Sequence, residues 1–549
     1  MTVVAAVPVL TFLIGLIRRN GFLVALRMTI QAAFLMLFLV LLTQAVLPLD
    51  GYEALGGRFP VDFFVRLSPL LAVAAMLAGQ VFIAGLLLGG MTLLSAVIAG
   101  RFFCGWMCPL GTTFDIFDWL FLRHLDRPGA RDGFLRGVKY LALVGILVAA
   151  LFGAEAAGWF DPMSIVTRSY AIVVLPVADE GAKVVLEKPL EHETFRTDMP
   201  RLAKALARTD STLKDLNILY DARHYYFQFA TLGGVFAALL LLQAYQKRFW
   251  CRKVCPLGGM LAICGKWRPL GVYLDSGTCV DCGKCRQVCP VGAIQGKALS
   301  PEECTFCGSC VAPCPVDALS VRVGAPASVE KRPAVLPGRR EFLLAAASGI
   351  AAAPVLSLNT QRQADQVRLV RPPGAQDEER FVAACVRCGE CMKACPQNAL
   401  HPAGFQAGLA GVWTPRIVPV IGYCDYNCLT GDQPVGNFCA TVCPTGAIKK
   451  LSPEEKHKTR LGTAYFRTDK CIPYVERLTC SVCAEHCPVP EKAIKDEEIE
   501  VKDFKTGVIR KILRPYVDTA LCIGCGQCEN VCPLRGEKGI RVERVRSVV

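Results

Sequence analysis

The spacing of the cysteines restricts the structure of this chain more than any other feature. Six groups of four cysteines, each ending in Cys-Pro, use 24 of the 29 cysteines in the 549 residues. Four groups follow Cys-x2-Cys-x2-Cys-x3-Cys-Pro, and they are Cys279, Cys282, Cys285, Cys289; Cys304, Cys307, Cys310, Cys314; Cys385, Cys388, Cys391, Cys395; and Cys522, Cys525, Cys528, Cys532. Two looser groups lie before the last of these, and they are Cys424, Cys428, Cys439, Cys443 and Cys471, Cys480, Cys483, Cys487. The fold must therefore bring four thiols together at several separate places.

This pattern is typical of bacterial ferredoxin domains, in which three cysteines bind one [4Fe–4S] cluster and the fourth binds the partner cluster. Disulfide frameworks do not repeat such a run with a proline at its end. Zinc sites use paired Cys-x2-Cys motifs and would leave half of each group unused. We therefore predict six [4Fe–4S] clusters, α+β ferredoxin domains and single-electron transfer.

Crossed binding of this kind predicts which thiols share a cluster. In the first two groups, the fourth cysteine of each joins the first three of the other, so Cys289 and Cys314 exchange partners. For the four later groups we expect nesting, in which the first group pairs with the last and the second with the third. Nesting assigns Cys532 to the group of Cys385, Cys395 to that of Cys522, Cys487 to that of Cys424, and Cys443 to that of Cys471.

The first half of the chain predicts an α-helical membrane domain. The sequence is 53% hydrophobic, and residues 1–265 hold enough apolar segments for about four to six transmembrane helices. These segments are 28–48, 81–100, 140–157 and 225–245, with a shorter one at 2–17. Basic residues cluster at one end of the spans, which indicates the cytoplasmic side. They also account for much of the formal charge of +14, so no nucleic acid partner is expected.

A duplicated loop divides the membrane domain into two related halves. The first copy is Arg101-Phe102-Phe103-Cys104-x3-Cys108-Pro109-Leu110-Gly111, and the second is Arg248-Phe249-Trp250-Cys251-x3-Cys255-Pro256-Leu257-Gly258. The four thiols could meet and bind iron or an iron–sulfur centre, act as redox dithiols, or be structural. Cys264 lies outside every group and fits an inert buried thiol.

Other features limit the cofactors and suggest quinone contacts. The chain has no Cys-x2-Cys-His motif and no histidine within a predicted span, so neither attached nor membrane-embedded haem is expected. His224, Arg66 and Arg168 could line a quinone pocket, although a solvated histidine and lipid-facing arginines are the ordinary roles of such residues. No residue is singled out as catalytic.

The remaining chain divides into a ferredoxin, a linker and a second ferredoxin. We predict a cytoplasmic two-cluster domain at 266–325, a linker at 326–365 and a periplasmic four-cluster domain at 366–549. The linker contains Arg339-Arg340-x-Phe342-Leu343 before an apolar run, which resembles a twin-arginine export signal. The alternative is a last transmembrane helix with ordinary positive-inside arginines, and both interpretations place 366–549 outside the cytoplasm. Pro354 discourages cleavage, so this segment is expected to remain as an anchor.

Two resemblances cover nearly the whole chain. Residues 1–325 resemble the NapH type of membrane ferredoxin through the duplicated Cys-x3-Cys-Pro-Leu-Gly loops and the two-cluster domain. Residues 339–549 resemble the NapG/MauM type through the twin-arginine string, Arg371-Pro372-Pro373-Gly374-Ala375 and four cysteine groups. In those families the two parts are usually separate proteins, whereas here they are fused.

The resemblance implies a multi-pass protein of the bacterial inner membrane that acts as a quinol dehydrogenase module. Its expected partners are the quinone pool and a periplasmic cytochrome or reductase. Two alternatives stay open: a redox maturation factor for a periplasmic metalloenzyme, and ferredoxin-driven electron transfer outward. Whether the chain is itself an enzyme is not decided by its sequence.

Overall fold

The computed structural model describes residues 21–45, 60–125, 136–215, 225–323, 338–358, 369–430, 433–434, 436–502 and 509–544. The predicted apolar segment 2–17, residues 326–337 and 359–365 of the predicted linker, and His224 lie outside these ranges. The chain forms two compact units. Unit 1 comprises Met1–Leu41, Phe63–Ser169 and Thr231–Pro354, and unit 2 comprises Leu42–Asp62, Tyr170–Ala230 and Val355–Val549.

Unit 1 combines apolar helices with the first two cysteine groups. Its helices are Phe22–Gln44, which continues into unit 2, Phe63–Arg66, Pro69–Gly79, Gly89–Ala99, Phe102–Trp106, Pro109–Phe117, Val138–Leu151, Ala157–Phe160, Pro162–Ser169, Phe229–Tyr245, Pro256–Cys264, Lys284–Val288 and Arg339–Leu358. Short 3-10 or π-helical turns are Ala84–Leu88, Asp118–Leu122, Trp250–Val254, Gly265–Trp267 and Pro301–Glu303. Its strands are Leu270–Leu274, Ile294–Gln295, Ala298–Leu299 and Leu319–Val323.

One helix among the described residues, Phe22–Gln44, is long and apolar enough to cross a bilayer. Four shorter apolar helices are Pro69–Gly79, Ala84–Ala99, Val138–Leu151 and Phe229–Tyr245. Ala84–Ala99 and Phe229–Tyr245 lie within predicted spans and Val138–Leu151 overlaps a third, but each is shorter than the ~20 residues that an upright span needs. The multi-pass topology therefore remains a prediction.

Proline fixes where the helices after the duplicated loops begin. Pro109 and Pro256 each occupy the first turn of a helix, directly after Cys108 and Cys255. Proline suits this position because the missing N–H has no partner within the helix and the fixed φ is already helical. The second cysteine of each loop is thereby held at a helix start.

Unit 2 contains the four later cysteine groups and a set of polar helices. Its helices are Leu175–Leu186, Lys188–Glu191, Glu193–Asp198, Pro200–Asp215, Glu378–Ala384, Glu390–Lys393, Phe438–Thr441, Pro453–Lys458, Ile472–Val475, Val482–Glu485 and Gln527–Val531, with turns at Tyr170–Val174 and Phe405–Ala407. Its strands are Leu400–Pro402, Pro415–Ile417, Leu429–Thr430, Gln433–Pro434, Thr463–Phe466, Ile494–Lys502, Ile509–Val517 and Ile540–Glu543.

Three modules of the chain share one topology, in which antiparallel pairing closes a segment that holds two consecutive cysteine groups. In unit 1, Leu270–Leu274 pairs with Leu319–Val323 around the first two groups. In unit 2, a bridge between Ala375 and Ile448 encloses the third and fourth groups. Thr463–Phe466 pairs with Ile540–Glu543 around the last two, and the long hairpin Ile494–Lys502/Ile509–Val517 is inserted between them.

Candidate iron–sulfur sites

In the module of unit 1, the fourth cysteine of the first group lies with the second group. Cys289 lies beside Cys304 and Cys307, and burial together with these thiols raises the pKa of Cys289 to about 11. The pKa of Cys310 is raised well above its usual value by burial and then by Cys307 and Cys304. Cys289 therefore joins the three cysteines of the second group, as the ferredoxin spacing predicts.

In unit 2, the first module encloses two small cavities, each lined by four cysteines. Cys385, Cys388 and Cys391 share one cavity with Cys443. Cys424, Cys428, Cys439 and Cys395 line the other. The thiols are largely buried, and burial raises the pKa of Cys385 to about 11.

The second module of unit 2 repeats this arrangement. Cys471, Cys480 and Cys483 share a cavity with Cys532. Cys522, Cys525, Cys528 and Cys487 line a further one. Burial raises the pKa of Cys525 to about 12, and its neighbours Cys522 and Cys487 contribute to this shift.

The expected nesting of the four later groups is therefore wrong. Cys532, Cys395, Cys487 and Cys443 lie with the groups of Cys471, Cys424, Cys522 and Cys385, respectively. Neighbouring groups pair because each module is closed locally by its own strand or bridge contact. Closing a short loop costs less chain entropy than joining groups that are more than 100 residues apart, about 0.6 kcal/mol for each doubling of loop length.

The donor sets fit [4Fe–4S] clusters. None of the 29 cysteines forms a disulfide. In the parts of the chain that the structure describes, no three His, Cys, Asp or Glu side chains converge on a mononuclear metal ion. Four thiols around one apolar cavity instead match the wider spacing of a cluster, which Cys thiolates bind.

Backbone amides donate to several of these sulfurs. Ala293 donates to Sγ of Cys289 at 3.3 Å, Ala399 to that of Cys395 at 3.3 Å, and Gly539 to that of Cys532 at 3.4 Å. Hydrogen bonds to the sulfurs stabilise the more negative, reduced state of a cluster and so help to set its potential.

The duplicated loops bring Cys104, Cys108, Cys251 and Cys255 together. Burial raises the pKa of Cys108 and that of Cys255 well above the usual value, and in each case Cys104 and Cys251 add to the shift. The loops of the two halves thus meet in one buried group of thiols, here called the four-thiol site.

Two arginines cross between the halves at the four-thiol site. Arg101 of the first loop donates to the carbonyl oxygen of Cys251 at 2.7 Å, and Arg248 of the second loop donates to that of Cys104 at 2.7 Å. Arg101 also pairs with Glu303 at 2.9 Å, and Arg248 pairs with Asp115 at 2.6 Å. The site has a pseudo-twofold arrangement, with a buried positive charge from each half.

The four-thiol site lies against the second cysteine group of unit 1. Gly105 has no room for a side chain, because a Cβ atom there would overlap the carbonyl oxygen of Thr305. The indole of Trp106 donates to the carbonyl oxygen of Phe306 at 3.0 Å, and the two rings lie 6.4 Å apart. The loop between Cys104 and Cys108 therefore packs directly on the loop between Cys304 and Cys307.

Glu303, which precedes Cys304, is held by a buried cationic cluster. Lys139 and Arg101 pair with its carboxylate, and Arg136 lies 3.8 Å away. Burial alone would raise the pKa of Glu303, but these cations lower it to about 2. The carboxylate is charged at neutral pH and fixes the second cysteine group to the helices.

Sequence reasoning missed several residues of these sites. Lys456 donates to Sγ of Cys428 at 2.8 Å and to the carbonyl oxygen of Asp425 at 2.6 Å. Nothing in the cysteine spacing indicates a lysine 28 residues away. Arg101 and Arg248 were visible as part of the duplicated motif, but their crossing contacts were not.

Of the residues suggested for a quinone pocket, the structure describes Arg66 and Arg168, and the helices that carry them, Phe63–Arg66 and Pro162–Ser169, contact each other. Arg168 is buried, 3% exposed, and donates to the carbonyl oxygen of Gly158 at 3.2 Å. The side chain of Arg66 lies against Gly85. Because Arg168 is almost fully enclosed, lipid-facing anchoring does not describe it.

Comparison with known protein families agrees with this geometry. A model described as "4Fe-4S binding domain" matches residues 81–128 and 228–271, the two segments that hold the four-thiol site. A "4Fe-4S dicluster domain" matches 271–315, and a further "4Fe-4S binding domain" matches 382–401 and 515–535. The chain thus contains several [4Fe–4S] binding domains.

Each of the individual relatives matches only part of this chain. The ferredoxin-type protein NapG of Escherichia coli (strain K12) is 39% identical over 204 residues, which are 36% of this chain and 82% of the relative. The methylamine utilization ferredoxin-type protein MauM of Methylorubrum extorquens is 36% identical over 214 residues, 38% of this chain and 89% of the relative. The putative electron transport protein YccM of E. coli (strain K12) is 28% identical over 249 residues, 44% of this chain and 54% of the relative.

No solved structure was found to match the chain. The cysteine sites, the [4Fe–4S] domain matches and the relatives all support a role in electron transfer. Through about a third of its length, the chain belongs to the family of NapG- and MauM-type ferredoxin proteins.

Proposed function

We propose that the protein oxidises quinol at a membrane and passes the electrons to a periplasmic cytochrome or reductase. Quinol would release two electrons and two protons and leave as quinone. The electrons would enter the iron–sulfur sites of unit 1 and depart from those of unit 2. Supplied with its clusters, the chain would contribute one-electron carriers, as [4Fe–4S] proteins do.

The observation that carries this proposal is the direct packing of the four-thiol site on the second cysteine group. Gly105 and Trp106 touch the loop of Thr305 and Phe306 with no intervening element. Arg101 connects the same two sites, because it pairs with the carboxylate of Glu303 and donates to the carbonyl oxygen of Cys251. A group of buried thiols that is this close to a ferredoxin module suits electron exchange better than a structural role.

A membrane location is supported by the helices of unit 1. Phe22–Gln44 has the length and composition of a span. Arg339–Leu358, which includes the twin-arginine string, packs closely on helix Val138–Leu151, since a Cβ atom at Gly349 would lie 2.6 Å from the carbonyl oxygen of Gly145. This packing favours a retained anchor helix over a removed signal. Unit 2 would then be periplasmic and unit 1 would hold the cytoplasmic ferredoxin.

The proposal can be tested with anaerobically purified, cluster-loaded protein. We expect a menaquinol or ubiquinol analogue to bleach the visible absorbance of the oxidised clusters while quinone forms. Dithionite provides the reference for full reduction. If dithionite reduces the clusters but no quinol does, the proposal that the protein oxidises quinol is wrong.

A further inference from the structure

We propose that a large cavity in unit 1 binds the ring of the quinol. The cavity has a volume of ≈ 1510 Å³ and lies between the helices and the ferredoxin module of this unit. The inference rests on the proposed function, because it locates the substrate of that reaction. It replaces the pocket that Arg66, Arg168 and His224 suggested.

Two candidate redox sites border the cavity. Gln287 and Val288 line it just before Cys289, and Ser309 lines it just before Cys310, which lies in the same site as Cys289. On the opposite wall, Arg248 belongs to the second duplicated loop of the four-thiol site, and Thr112 directly follows the first. A ring bound here would contact ligand-bearing loops on both sides, which is what a two-electron donor to one-electron carriers requires.

A buried hydrogen-bond donor at the cavity wall has no partner in the described structure. Gln243 is 1% exposed, and its Oε1 accepts from the backbone N–H of Arg248 at 2.7 Å. Its Nε2 makes no hydrogen bond. An unsatisfied buried donor is unfavourable, so a quinone carbonyl oxygen that accepts from Nε2 would remove this penalty.

A second donor and an acceptor complete the polar end of the cavity. Nε of Arg27 is buried without a hydrogen-bond partner in the described structure. Asp115, held by Arg248 and Gln31, presents a carboxylate to the same cavity. Amide and guanidinium donors suit the oxygens of a quinone, and a carboxylate suits the hydroxyl of a quinol.

The other end of the cavity is apolar and reaches the surface. Ile116 and Trp119 line it and are 42% and 52% exposed. Pockets for small ligands are usually about 300–1,000 Å³ and mostly apolar with a few placed polar groups. The larger volume and the apolar mouth accommodate the first part of an isoprenoid tail. Both signs of charge line the cavity, which argues against a site for a simple anion.

A photoreactive azidoquinone tests the location directly. Oxidised full-length protein is incubated with the azidoquinone in the dark and then irradiated, with and without excess unlabelled quinone. Peptide mass spectrometry then locates the label in the sequence. We expect competable label within 24–31, 112–123, 243–248 or 287–313, the segments that line the cavity. Competable label confined to other segments, or no competable label, would overturn the proposed site.

Two variants and one control make the test specific. Gln243→Glu keeps the acceptor for Arg248 and loses the donor, and Trp119→Ala opens the apolar mouth. Each should lower competable labelling at least tenfold. Phe121→Ala, in the same helical turn but outside the cavity lining, should keep wild-type labelling. Unchanged labelling of both Gln243→Glu and Trp119→Ala would contradict the site.

Failure of the site and failure of the proposed function give different results. If wild-type clusters are reduced by quinol but the label maps elsewhere, the cavity is the wrong site and quinol oxidation stands. If the label maps to the cavity but no quinol reduces the clusters, the site stands as a quinone site and quinol oxidation fails.

Discussion

At the scale of single residues, the environment of Cys428 shows how one side chain can set a redox property. The ammonium group of Lys456 lies 2.8 Å from its sulfur and is buried with it. A positive charge stabilises the reduced form of a [4Fe–4S] cluster, which carries one more negative charge than the oxidised form. This lysine should therefore raise the potential of the site formed by Cys395, Cys424, Cys428 and Cys439.

We predict that Lys456→Met lowers the reduction potential of that one cluster by on the order of 50 mV, close to a tenfold change for a one-electron couple. The methionine retains the volume and removes the charge. An EPR-monitored redox titration measures the shift. Lys458→Met, on the exposed face of the same helix, is the control and should leave every potential in place. An equal shift in both variants would show a general surface-charge effect.

His401 makes unit 2 sensitive to acid. Its Nδ1 accepts from the backbone N–H of Phe227 at 3.3 Å, while Nε2 lies 2.9 Å from the carbonyl oxygen of Asn398. These contacts fix a neutral ring. Burial lowers the pKa of His401 to about 4; the hydrogen bond with the Asn398 carbonyl opposes this shift, and the charge of Arg416 adds to it to a smaller extent.

Because the unfolded histidine has a pKa near 6.5, the unfolded state binds a proton between pH 6.5 and 4 that the folded state does not. The stability is thus complete above pH 6.5 and falls below it. We expect the free energy of unfolding to drop by about 1 kcal/mol from pH 7 to 5.5 through this residue. Urea unfolding should show a smaller drop in His401→Gln than in the wild type. The exposed His486→Gln should keep the wild-type dependence, and an identical slope in His401→Gln would contradict the assignment.

At the scale of elements, the structure corrects how the cysteine groups pair. The six groups and the position of Cys289 with the second group were predictable, because ligand spacing is a local property of the sequence. The pairing of the later groups depends on contacts such as that of Thr463–Phe466 with Ile540–Glu543. In the module of unit 1, a strand pair closes around two neighbouring groups in the same way. The pairing of neighbouring groups in unit 2 could have been inferred from that module.

Two serine variants decide between adjacent and nested pairing. Cys395→Ser should alter the EPR signal of the same cluster that Lys456→Met shifts, since Cys395 shares a cavity with Cys424, Cys428 and Cys439. Cys487→Ser should leave that signal intact and alter another, since it lies with Cys522, Cys525 and Cys528. The reverse pattern would restore the nested arrangement.

The short helix Phe102–Trp106 depends on glycine for its contact with the second cysteine group. Gly105→Ala would push this helix away from the Thr305 carbonyl, because no space is left for the methyl group. We expect a loss of about 1–3 kcal/mol, the usual cost of overpacking, seen as a lower Tm in detergent. Gly90→Ala is the matched control, since its Cβ would meet nothing within 4 Å. A Tm of Gly105→Ala equal to that of the control would show that the contact is not tight.

At the scale of the whole molecule, composition and spacing predicted an apolar half and ferredoxin modules, and both are present. The number of membrane spans stays a prediction, because the apolar helices Ala84–Ala99 and Phe229–Tyr245 are shorter than the apolar segments that contain them. The cavity of unit 1 was also out of reach, since its walls come from residues as distant in sequence as Arg27 and Ser309. Such a site exists only after the helices and the module have packed together.

The central claim is that quinol electrons reach the clusters of unit 2 through the fused chain. It is tested most directly by rapid freeze-quench EPR after oxidised, full-length protein is mixed with a quinol analogue under anaerobic conditions. The account predicts that the signal identified by Lys456→Met appears after the signals of unit 1. If that cluster stays oxidised with quinol but is reduced by dithionite, the account is contradicted.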